Sequence, residues 1–305
     1  MADYASKFSI KCQTKSISLP CRSHPTTLHI EDLINKIKTT TAAASRPNAE
    51  TICSGLSQLK DLYKCTNDLL NSSSVCVLLA SQRNVNWVDE LIDESVKFLD
   101  FCGGIWDMVS QIKEQIRDLC CALRRRNGEL VGENGIAKYV CFRKKMKKDV
   151  KGLVASLKQV DNNMTGGGGS VMVDSDSHHL AAVMKAVLGV SEMTVLVFES
   201  LLMFISMPAV SKPNRWSIVV SKLMHKGMVA CEAQQKQGTV NELESIDATL
   251  QSLCKYGSLS EGRNVQIAQS RLERLGDQIE SMESGLECMF RCLVRTRAMT
   301  QSTKL

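Results

Sequence analysis

VQIAQSRLERLGDQIESMESGLECMFRCL, residues 265–293, decides the fold of this chain. Its apolar residues Val265, Ala268, Leu272, Leu275, Ile279, Met282, Leu286, Met289 and Leu293 alternate at spacings of three and four. A repeat of 3.5 residues keeps one stripe of an α-helix turned the same way, toward a partner helix. The pattern predicts a helix over 260–298. Its seam is Val265, Leu272, Leu275, Ile279, Met282, Leu286, Met289 and Leu293, roughly 42 Å long at about 1.5 Å per residue. Stripes at 85–126 and 136–161 of the same chain can fill such a seam, so an internal core comes first and self-association second.

Working back from that helix, the same spacing recurs with less regularity. Helices are expected near 29–42, 49–71, 75–82, 85–126, 136–161, 178–206, 214–227 and 231–256. The 85–126 stripe is Val88, Ile92, Leu99, Cys102, Trp106, Val109, Ile112, Ile116, Leu119 and Leu123. Gly103-Gly104 inside it calls for a kink or a close helix approach. Asn127-Gly128 and Gly132 to Gly135 read as its end. Gly166-Gly167-Gly168-Gly169-Ser170 with Asp174-Ser175-Asp176-Ser177 reads as a linker. No alternating strand series appears. The expected class is all-α, with long antiparallel helices in a bundle or coiled-coil-like arrangement. The parts are a basic disordered tail (1–27), an N-terminal helical half (28–162), a linker (163–177) and a C-terminal helical half (178–305).

Composition agrees with helices joined by short loops. Of 305 residues, 44% are hydrophobic, 5% aromatic and five are proline. The thirteen cysteines have no secretory signal before them, and Cys102, Cys120, Cys254 and Cys288 fall at apolar helix positions. Reduced cysteines that pack as small hydrophobes are expected rather than a disulfide framework. Residues 1–30 carry one acid, Asp3, among Ser, Thr, Lys and Arg, a composition also found in transit peptides. The apolar run from Met193 to Val210 contains Glu199 and closes at Pro208, so a buried helix is preferred to a membrane span.

Charge is the one surface signal. Between Arg124 and Lys158 lie eleven Lys or Arg and three acids, a local +8 against +6 for the whole chain. Arg124, Arg125, Arg126, Arg143, Lys144, Lys145, Lys147, Lys148 and Lys151 form the candidate anionic-partner surface. A protein partner is placed first, an anionic membrane second and nucleic acid third, because only Tyr139 and Phe142 are near for base stacking. A plain solvated helix face comes ahead of all three partner readings.

Other signals read as structure. Gly166 to Gly169 lacks the Lys-Ser/Thr of a phosphate loop. His178-His179 point about 100° apart on a helix and do not share a face. Cys288 and Cys292 have no second ligand pair for zinc. The five histidines lie in no nucleophile motif. No catalytic residue, cofactor or metal is assigned, and a non-enzymatic protein is expected. Trp216, Ile218, Val219, Leu223 and Met224 form a short amphipathic face, read first as a core lid and second as a membrane or partner contact.

Several segments resemble the plant-specific BYPASS-related family. They are Ser18-Leu-Pro-Cys-Arg-Ser-His-Pro25, Leu99-Asp-Phe-Cys102, Gln111-Ile-Lys-Glu114, Leu119-Cys-Cys-Ala-Leu-Arg-Arg-Arg126, Trp216-Ser-Ile-Val-Val-Ser-Lys-Leu-Met224, and Leu272 to Leu293 with Glu283-Ser-Gly-Leu-Glu287. The resemblance implies a plant source and a link to root and shoot development, where relatives restrain a mobile root-derived signal. It supplies no substrate, cofactor or active-site residue. The combined expectation is a scaffold or regulatory interaction protein, intracellular and cytoplasmic first. Plastid import and a peripheral membrane position are the alternatives.

Overall fold

A computed structural model of the chain describes residues 25–43, 46–79, 85–124, 129–166, 178–206, 241–255 and 261–302. Within them the helices are α1 (Pro25–Ala43), α2 (Ala49–Leu70), α3 (Ser73–Leu79), α4 (Val85–Arg124), α5 (Glu129–Gly166), α6 (His178–Ser206), α7 (Glu242–Lys255) and α8 (Glu261–Ser302). The protein is all-α, with no strand among the described residues. The expected tail up to residue 24, the linker beyond Gly166 and the Trp216 segment lie outside the described residues, whereas residues 25–27, expected in the tail, belong to α1 and Thr27 is buried.

Local chemistry explains where the helices start. Pro25 opens α1, where its missing N–H costs nothing. Asn48 caps α2: its side chain accepts from the Thr51 N–H at 2.8 Å, and Thr51 Oγ1 accepts from the Asn48 N–H at 3.0 Å. That reciprocal pair satisfies two orphan donors of the first turn. α7 begins at Glu242, and Asn241 stands before its first turn, where its Oδ1 accepts from the Leu243 N–H at 2.8 Å; residues 231–240 of the expected helix lie outside the described residues.

The seam of α8 is buried within the chain. Leu272, Leu275, Ile279, Met282, Leu286, Met289 and Leu293 are at most 1% exposed, and Val265 is half-buried at the start. One wall is α4, which runs antiparallel. Arg124 meets Glu273 at 2.6 Å, Lys113 meets Glu283 at 2.7 Å, and the buried Cys102 thiol donates to the Leu286 carbonyl at 3.6 Å. Burial pushes that thiol up to about 12. The other wall is α2 rather than the expected 136–161 helix. It runs parallel to α8, with Leu56 over Gly285 and Asn67 accepting from Thr296 at 2.8 Å. α1 and α6 are likewise parallel: Glu31 pairs with Lys185, and Lys38 with Glu192. Pairs distant in sequence therefore depart from the expected antiparallel rule, which short connections enforce only between neighbours.

α6 packs on α1, α2 and α5, and α5 also lies along α4. Tyr63 of α2 meets Thr194 of α6 at 2.9 Å inside this packing. A single hydrophobic cluster draws on both sides of the expected linker, so the two halves share one core. α6 is the one described helix long and apolar enough to cross a bilayer, and 50% of its most apolar window is buried in the fold.

Three sequence expectations change here. Trp106 is 37% exposed and Ile105 takes the buried position, because the indole N–H reaches the Glu283 carboxylate at the helix margin. Cys254 and Cys288 are exposed, whereas Cys102 is buried and Cys120 half-buried. Gly132 and Gly135 lie inside α5 rather than at the end of α4. At Gly135 a β-carbon would sit 2.8 Å from the Ala122 Cβ, so the glycine lets α4 and α5 approach. At Gly103 a β-carbon would meet nothing within 4 Å.

Opposite results follow for the two glycines. Gly135→Ala sets methyl against methyl with no flexible end to yield, and should lower stability by about 1–3 kcal/mol. Gly103→Ala adds helix propensity in open space and should raise it by up to about 1 kcal/mol. Urea unfolding midpoints of the two variants check both signs.

A candidate anion-contact surface on α5

The basic block divides by helix phase. Ile136, Tyr139, Arg143, Met146, Val150, Leu157 and Val160 face inward and are buried. Lys144, Lys145, Lys148, Lys151 and Lys158 are exposed, and none of them pairs with a carboxylate among the described residues. At about 100° per residue, Lys144, Lys148 and Lys151 fall within roughly 60° of arc. Lys158 continues that stripe to a length of about 21 Å from Lys144. Lys145 stands beside it, and Asp149 is the acid on the exposed side of this stretch.

The remaining members of the block have other positions. Arg124 is exposed but bound to Glu273 across the α4–α8 contact. Lys147 is half-buried, 3.7 Å from Asp247. Burial chiefly holds its ammonium below the usual lysine range; the Arg143 charge adds to this and Asp247 opposes it. Arg125 and Arg126 lie outside the described residues.

Arg143 is a correction to the surface reading: it is 3% exposed. Its Nε lies 3.3 Å from Asp247 Oδ1, its Nη2 donates to Asp247 Oδ2 at 3.3 Å, and its Nη1 donates to the Ile205 carbonyl at 2.8 Å. The Tyr139 hydroxyl donates to the same Asp247 at 3.1 Å. Asn241 adds a bond from its Nδ2 to the Phe204 carbonyl at 2.8 Å. The last carbonyls of α6 lack intrahelical partners, and Arg143 and Asn241 supply them. A buried charge is tolerated only when paired and fully bonded, which Asp247 achieves for Arg143. Asn241 and Asp247 were not singled out from sequence, and Tyr139, noted there only as an aromatic near enough for base stacking, is instead buried and bound to Asp247. Asn241-Glu242-Leu243-Glu244, a cap residue with Glu three positions on, is the signal that marks the start of α7.

Charge count alone cannot see this division. It follows from the inward spacing of Tyr139, Arg143, Met146 and Val150, in which arginine occupies an apolar register position. Among the described residues no group of three or more His, Cys, Asp or Glu is placed to hold a metal ion.

A second polar feature lies apart, where Tyr63, Thr66, Glu94, Ser95, Ser191 and Thr300 line a cavity of about 40 Å³. That volume suits one or two waters. Glu94 Oε1 is shut from solvent without a hydrogen-bond partner. Burial chiefly raises its carboxyl above the usual range; the Ser191 hydrogen bond and Lys97 pull the other way, and Glu90 adds to the rise.

A family model described as Protein BPS1 matches residues 55–299 of the chain, consistent with the BYPASS-related resemblance. No curated protein matches, and no solved structure matches.

Two stability tests arise from these polar groups. Arg143→Met leaves buried Asp247 with only the Tyr139 hydroxyl and the more distant Lys147, and leaves the Ile205 carbonyl unmet; it should cost up to about 3–5 kcal/mol, and adding Asp247→Leu should recover part of it. Chemical denaturation of the single and double variants measures both. For Glu94 the folded pKa is raised, so its stabilising contribution is complete below the unfolded pKa and lost as pH rises through the folded one. Glu94→Gln should therefore gain stability over the parent as pH climbs from about 4 to 7, read from melting temperatures across pH.

Proposed function

The chain belongs to the BPS1 family, and we propose that it acts as a non-enzymatic scaffold or regulatory interaction protein in plant root and shoot development. The observation that carries this reading is the lysine stripe on α5. Lys144, Lys145, Lys148 and Lys151 are exposed and bind no carboxylate among the described residues. They ride on a helix whose inner face is locked by Arg143 and the apolar residues around it. A rigid row of uncompensated cations attracts an acidic protein face, speeding encounter and fixing its orientation. Family membership supports a plant BPS1-like protein; the developmental role rests on the family resemblance.

Substituting these four lysines with glutamate tests the proposal. The positions are solvated, so stability should stay within about 0.5 kcal/mol per site. Proximity labelling in root and shoot tissue should then show a set of acidic proteins retained by the parent and lost by the variant. Identical labelled sets for the two would overturn the proposal. Salt-sensitive sedimentation with anionic vesicles, abolished in the variant while the labelled proteins are unchanged, would transfer the surface to lipid and reject the protein partner.

A further inference from the structure

A second basic feature lies on α8, away from the α5 stripe. Between α7 and α8 a cleft of about 340 Å³ is lined by Glu242, Ser245 and Ile246 on one side and by Arg271, Arg274 and Gln278 on the other. A shallower depression of about 530 Å³ shares Arg271 and Arg274 and extends to Arg263. Residues 263, 271, 274 and 278 fall within about 80° of arc, so one face of α8 presents all three arginines and the glutamine.

Their charge is not neutralised by neighbours. The ion pairs of described arginines involve Arg46, Arg124, Arg143 and Arg291; Arg263, Arg271 and Arg274 make none among the described residues. Arg271 is nevertheless held in place. Its Nη1 donates to Thr249 Oγ1 at 2.7 Å and to Ser245 Oγ at 3.4 Å. Two neutral hydroxyls fix the guanidinium without cancelling its charge, and they leave the Nε–Nη2 edge, which grips phosphate or carboxylate in a bidentate manner. Glu242, the carboxylate in the cleft lining, accepts the Ala49 N–H at 3.0 Å through Oε2. Its charge is thus engaged by the positive end of α2. Gln278 Oε1 is shut from solvent without a hydrogen-bond partner, so that oxygen is not part of the open cleft surface.

We infer that the α7–α8 cleft binds a phosphate-bearing small anion, either a soluble phosphorylated compound or the phosphorylated headgroup of a lipid. Arg271 grips the phosphate through its Nε–Nη2 edge, and Arg274 and Arg263 supply further positive charge. The volume is that of a small-molecule site rather than of a protein interface. The site does not depend on the α5 surface, and either can fail alone.

The test uses the full chain at fixed ionic strength. Calorimetric titration is made with inorganic phosphate and with inositol hexakisphosphate, and co-sedimentation with vesicles containing phosphatidylinositol 4-phosphate or, at equal charge, phosphatidylserine. Saturable binding of a phosphate probe should weaken at least tenfold in Arg271→Gln/Arg274→Gln and stay unchanged in Lys144→Gln/Lys148→Gln. Thr249→Ala, which removes the anchor of Arg271 and leaves its charge, should also weaken binding, and serves if the arginine pair fails to fold. Preference for the phosphoinositide vesicles, competed by the soluble probe, identifies a headgroup; binding of the soluble probe alone identifies a free compound. Absence of saturable binding to every probe, or equal loss in the arginine and lysine variants, overturns the inference.

Discussion

The apolar seam of α8 is the constraint on which the other helices depend. Seven of its side chains, from Leu272 to Leu293, are essentially closed to water. Each buried leucine, isoleucine or methionine contributes about 1.5–3 kcal/mol relative to exposure. Because the seam extends along most of a 42-residue helix, its partners must be long as well. α4 meets it antiparallel and α2 parallel; α1, α5 and α6 cover the outer sides of those two, and α7 packs on α8 itself. The salt links at the α4–α8 margin, such as Lys113 with Glu283, sit at the edge of this contact and fix its register more than they add stability.

Much of this was legible in the sequence. The seam residues stand where periodicity places them, and the helix expected near 49–71 forms with Ile52, Leu56, Leu59, Leu62 and Leu69 buried. What periodicity could not give was pairing. A stripe specifies that a helix has an apolar side, but not which other stripe covers it, so α2 could not be told from α5 as the second wall of α8. Glycine was similarly ambiguous. Gly135 reads as a helix stop on propensity alone, yet it serves a close contact with Ala122 that only the packed structure reveals.

The basic block shows the same limit in electrostatics. Nine residues looked equivalent as charges. Their phase on α5 separates exposed lysines from Arg143, whose fork joins Asp247 to a helix end. That distinction was available from the inward register of Tyr139, Met146 and Val150, but the acid that makes burial tolerable lies on α7, 104 residues away. The arginines of α8 were hidden for the opposite reason: they are spread over a helix rich in acids, and only their shared face and the hydroxyls of α7 bring them together.

The bond from Asn241 to the Phe204 carbonyl carries a further meaning. It ties the last turn of α6 to the residue that opens α7, so two helix ends 37 residues apart in sequence are fastened to each other. The C-terminal end of α6 and the start of α7 therefore fray together, and Arg143, which holds both the Ile205 carbonyl and Asp247, enforces the same coupling.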